Sequence, residues 1–65
     1  MKIYLNWKGP KGLETVDEFA REPGQSLAEF RGEVRRMVRE YRLAGMGVYP
    51  SRRPCRAWAA REVRI

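Results

Sequence analysis

Residues 26–45 read SLAEFRGEVRRMVREYRLAG, and this stretch decides the fold. It opens on Ser26-Leu27-Ala28-Glu29. In this pattern a serine hydroxyl accepts from the amide three residues on, and the glutamate reaches back to the serine amide. It closes on Gly45, well suited to the left-handed position just past a helix end. The two signals predict a helix from Leu27 to about Ala44. At about 100° per residue, Leu27, Phe30, Val34, Met37, Val38 and Tyr41 form one apolar face. Glu29, Glu33 and Glu40 line one flank. Arg31, Arg35, Arg39 and Arg42 line the other, at spacings of four, four and three residues. Arg36, between the flanks, can pair with Glu33 and Glu40 for a few tenths of a kcal/mol each. The four-arginine row has no acid three or four residues away, so its charges repel one another. Gly32, on the exposed side, costs about 1 kcal/mol relative to alanine. Either a partner backbone approaches there, or the position is an unselected surface site.

Before the helix, Ile3, Leu5 and Trp7 alternate with Lys2, Tyr4, Asn6 and Lys8, the period-two pattern of a half-buried strand. Lys8-Gly9-Pro10-Lys11-Gly12 is a turn. Residues 13–19 read as the returning strand of a hairpin. The alternative is a short helix, because Val16, Phe19 and Ala20 also keep helical spacing and Thr15 with Glu18 fits a capping box. The strand is preferred, because a lone N-terminal strand leaves its edges unpaired. After the helix, Met46-Gly47-Val48-Tyr49 reads as a short third strand, which Pro50 confines to a sheet edge or ends. Pro54 suits the first turn of a short helix through Ala60. Residues 62–65 read as a frayed tail or a last strand. The expected fold is α+β: a small antiparallel sheet, made of the N-terminal hairpin and the third strand, packs against one amphipathic helix. A short C-terminal helical turn follows, and residues 1–65 form a single small domain.

A chain of 65 residues buries only about 60% of its unfolded surface, so its stability is marginal. Cys55 is the only cysteine, which excludes a disulfide within the chain, and no histidine is present. The expectation is therefore no metal and no cofactor, since zinc sites draw on four Cys or His ligands. Oligomerisation remains as a source of stability, and a homodimer through a sheet edge near Val48 is one form of it. No segment offers the roughly 20 apolar residues of a membrane span, and the start does not fit a signal peptide. The expected setting is the cytoplasm of a bacterial cell, with no membrane partner. The net charge of +6 is unevenly placed. Residues 1–30 carry four basic and five acidic side chains; residues 31–65 carry ten arginines and three glutamates. A GC-rich genome accounts for arginine over lysine, but not for this step, which points to one face meeting an anionic partner.

Catalysis has little support. Without histidine no Ser-His or Cys-His pair forms, and Gly9-Pro10-Lys11-Gly12 lacks the spacing of a phosphate loop. Binding has more. The helix row of Arg31, Arg35, Arg39 and Arg42, with Arg52, Arg53 and Arg56, forms the candidate partner-binding set. These arginines suit the phosphates of DNA or RNA, with Tyr49 and Trp58 available to stack on bases. They equally suit an acidic protein surface, where arginine and aromatic residues are favoured contacts.

Three motifs in order carry a resemblance. Glu14-Thr15-Val16-Asp17-Glu18-Phe19, Glu40-Tyr41-Arg42-Leu43-Ala44, and Tyr49-Pro50-Ser51-Arg52-Arg53 with Trp58 resemble a family of very small phage and prophage accessory proteins. The likeness covers most of residues 14–58. It departs from the pattern at residues 20–25, at Pro54-Cys55 and after Trp58. The family has no settled activity, so no site is transferred. The resemblance implies a setting in which small phage proteins bind and disable host machinery, CRISPR interference complexes among them. It also makes Tyr41, Tyr49 and Trp58 structural, against base stacking. The expected function is thus a non-enzymatic, phage-type binding protein that inhibits a host protein or nucleoprotein complex, an anti-CRISPR or other anti-defence protein. Direct DNA or RNA binding through the arginine face is the alternative.

Overall fold

Pro10 explains the first turn. Its ring holds φ negative, which rules out the mirror-image turns that two-residue hairpin loops prefer. The chain recovers two residues later, at Gly12, with φ +110°. The computed structural model describes residues 1–63, and in it β1 (Lys2–Gly9) and β2 (Gly12–Ala20) pair antiparallel around this turn. Residues 13–19 are therefore strand, not helix. The register shifts between Leu5 and Asn6, so that Leu5 opposes Asp17 while Asn6 opposes Thr15. Val16 is the extra residue of this bulge. Asp17 and Phe19 then share the face of Leu5 and Ile3, and Thr15 shares the opposite face with Asn6.

Helix α1 spans Leu27–Leu43 and starts where the capping signal predicts. The Ser26 hydroxyl accepts from the Glu29 amide at 3.1 Å. Its end is a Schellman turn: the Gly45 amide donates to Arg42 and the Met46 amide to Tyr41, at 3.0 and 2.9 Å. Gly45 takes φ +91°, which a side chain would strain. Gly45→Ala should lower stability by about 1 kcal/mol. Gly32 is the opposite case, because a Cβ added there meets nothing. Gly32→Ala should raise stability by about 0.5–1 kcal/mol. Urea titration of the two variants checks both signs.

The helix lays Phe30, Val34 and Val38 onto Leu5, with Val48 completing the buried core. Met37 and Tyr41 pack at its margin, as do Val16 and Phe19 from β2. The Tyr41 hydroxyl donates to Asp17 at 3.1 Å, fixing this side of the helix over β2. The Arg36 pairs expected along the helix do not form. Among the described residues, the ion pair is Lys2 to Glu18 at 3.7 Å.

Three expectations change. The third strand, β3, is Tyr49–Ser51 rather than residues 46–49. The Met46 amide is taken by the helix cap, and the Val48 amide donates back to Met46 at 2.9 Å. With those donors turned inward the ladder starts only at Tyr49, and Pro50 sits within an edge strand, opposite Leu5. Val48 is 0% exposed and fills the core, and the sheet edge beside it is β3. The C-terminal helix, α2, runs Arg56–Val63. The Cys55 carbonyl accepts its first bond from Ala59 at 3.0 Å, so Pro54 precedes the cap instead of opening the helix. Residues 62 and 63 are helical, not a tail or strand; Arg64 and Ile65 lie outside the described residues.

The second face of the sheet is covered rather than open to solvent. The strand order is β2-β1-β3. The alternation in β1 predicts Tyr4 and Asn6 in solvent, yet both are buried. The segment after β3 folds back over them and is held by a polar relay. The Asn6 amide donates to the Arg53 carbonyl at 2.9 Å, and the Thr15 hydroxyl donates to Asn6 Oδ1 at 2.7 Å. The Cys55 amide then donates to Thr15 Oγ1 at 2.8 Å. Every buried polar group in the relay has a partner, which is the condition for burying amides and hydroxyls cheaply.

Candidate functional site

The arginine row of α1 lies over β3, on the side of the helix away from Tyr41 and β2. A groove runs between them. One end is a hollow of about 240 Å³ bounded by Ile3, Phe30, Arg31 and Arg52. The other is a hollow of about 450 Å³ bounded by Val38, Arg39, Arg42 and Leu43. Val34, Arg35 and Pro50 border both, so the two read as one groove. Its floor is apolar, and its helix wall is cationic.

Five of the seven candidate arginines gather here. Arg31, Arg35, Arg39 and Arg42 come from four successive turns of α1. Arg52, one residue past β3, joins them in the hollow that it borders together with Pro50 and Arg31. All five are exposed, and among the described residues none of these guanidinium groups meets a carboxylate. Arg42 is the one that is tethered, its Nη2 donating to the Val48 carbonyl at 3.3 Å. Arg53 and Arg56 do not line the groove. They belong to the segment that covers the other face of the sheet, where the Arg53 carbonyl takes the Asn6 bond. Leu43, 82% exposed at one end of the groove, is a member that charge patterning misses. Its signal was its place one residue before the helix cap, outside the apolar stripe.

The aromatic residues are elsewhere. Tyr49 opposes Asn6, so its ring belongs to the second face, where it is 43% exposed. Trp58 lies on that same face, beside Leu13, Thr15 and Cys55. Arginine wall and aromatic rings are thus separated by the sheet.

Tyr41 and Cys55 are shifted from their ordinary values, and neither lines the groove. Burial raises the Tyr41 hydroxyl, and the hydrogen bond to Asp17 and its charge push it the same way. The Thr15 hydroxyl lowers the Cys55 thiol; burial opposes that shift, and nearby backbone amides, including those of Trp58 and Ala57, assist it. Cys55 is buried and free. No described helix is long and apolar enough to cross a membrane. No family model matches this chain, and no curated protein or solved structure matches it either.

Proposed function

We propose that this domain is a non-enzymatic binding protein whose arginine-walled groove engages an acidic protein surface. The observation that carries the reading is the groove itself: five guanidinium groups without carboxylate partners, arranged beside an apolar floor. A partner that supplies both carboxylates and apolar side chains satisfies both parts. With the resemblance to small phage proteins, the partner is a host complex that the domain disables, a CRISPR effector being one such target.

Nucleic acid is the second reading, favoured by the unpaired row of positive charge. It is placed second because a single-strand groove interleaves arginines with stacking rings, and here Tyr49 and Trp58 lie across the sheet. Titration with duplex DNA, single-stranded DNA and RNA at rising salt separates the two. The protein reading expects no saturable nucleic-acid binding at moderate salt. Host-lysate capture should retain a protein complex, and Arg35→Glu with Arg39→Glu should reduce its yield at least about tenfold. Tight DNA or RNA binding with a log-linear salt slope, abolished by the same reversals, would move the function to the second reading.

A further inference from the structure

The two walls of the groove differ in what they offer a partner's backbone. The helix wall, from Arg31 to Leu43, is about 18 Å long. The strand wall is only three residues, with Pro50 at its centre. Proline has no N–H, so an extended segment laid along β3 meets an interrupted ladder. A helical segment satisfies its own backbone and needs only an apolar floor and a matching flank. The apolar surface is provided by Pro50 and Leu43, with the edges of the buried Val34 and Val38 between them. The flank is matched by spacing: Arg31, Arg35 and Arg39 recur every fourth residue, as carboxylates at i, i+4 and i+8 do on one side of a helix lying alongside.

We propose that the groove receives an acidic amphipathic helix of the partner protein. Its apolar stripe sits on Pro50 and Leu43, over the small exposed edges of Val34 and Val38, and its carboxylates meet Arg31, Arg35 and Arg39. The inference rests on the protein-partner reading above and adds the secondary structure and charge pattern of what binds.

The probe is a labelled, stapled helical peptide of about four turns. It carries leucines on one stripe and glutamates at every fourth residue on the adjoining flank. Fluorescence anisotropy with the full chain should show saturable binding. Arg35→Glu with Arg39→Glu should weaken it at least about tenfold, and Leu43→Ser about threefold to fivefold. Leu43 and both arginines are exposed, so the helical circular dichroism of each variant should match the parent. A stapled peptide of equal charge without leucines should bind at least about tenfold more weakly. Equal binding by that leucine-free peptide, or no saturable binding by the leucine-bearing one, would overturn the inference. Arginine-dependent capture of a host protein that the stapled peptide fails to displace would also overturn it, while leaving the protein-partner reading intact. Capture that ignores the arginines would remove both.

Discussion

Phe30→Ala should leave the domain largely unfolded at room temperature. Phe30 is 1% exposed and sits where α1 crosses β1, in contact with the cluster that includes Leu5 and Val34. Truncating a buried phenylalanine costs about 3–5 kcal/mol, part of it the cavity left behind. A chain of 65 residues has a total stability of only about 3–10 kcal/mol. The loss is therefore comparable with the whole. Thermal melting followed at the helical circular dichroism band should show a fall of at least about 12 °C, or no cooperative transition. Phe30→Leu keeps most of the volume and should retain a cooperative melt. A Phe30→Ala protein that melts within a few degrees of the parent would mean that α1 does not close the core.

Thr15→Val should be the second most damaging change, for a different reason. Valine matches threonine in shape but cannot bond. The Cys55 amide then loses its acceptor and Asn6 Oδ1 loses its donor, both in buried surroundings. Each stranded group costs about 1–3 kcal/mol, so the total is about 2–6 kcal/mol. Thr15→Ser retains the hydroxyl and should lose less than about 1 kcal/mol. The loss should also be local first. Hydrogen exchange at the Cys55 amide and through α2 should accelerate before exchange in α1 does. Equal losses for serine and valine would show that the methyl group, not the relay, holds the C-terminal segment.

These two residues also mark what the sequence made legible. Phe30 was readable: the capping serine, the apolar stripe and Gly45 agree with one another, so the helix, its ends and its buried face follow from local chemistry. The hairpin was readable for a similar reason, because the Gly9–Gly12 punctuation separates two stretches that can pair. Thr15 was not readable as a structural centre. In a period-two strand, Tyr4 and Asn6 look like the wet side, and nothing local says that a segment some 47 residues away returns to cover them. A faint signal existed: a helical turn bearing Trp58 must bury that ring somewhere, and the sheet has only one face left. The third strand was displaced because Val48 looked like strand on hydropathy alone. Its amide is spent in a tight turn, and its side chain fills the core instead.

The site was partly legible in the same sense. Helical spacing alone aligns Arg31, Arg35, Arg39 and Arg42. Arg52 joins them only because the chain leaves β3 beside the groove, which depends on where the strand ends. Arg53 and Arg56 looked equivalent to Arg52 in sequence, but the chain reverses over the second face between them. The fold thus divides one run of positive charge into a groove set and a set borne on the segment over the other face.

That division can be tested by reversing charge on each set separately. Tagged parent protein, Arg35→Glu with Arg39→Glu, and Arg53→Glu with Arg56→Glu carry reversals of equal size on the two sets. Quantitative affinity capture from host lysate compares them under one condition. The groove reversal should lose the captured complex at least about tenfold, while the second reversal should stay within about threefold of the parent. Equal losses, or a larger loss from Arg53 and Arg56, would contradict the assignment of the groove as the contact surface.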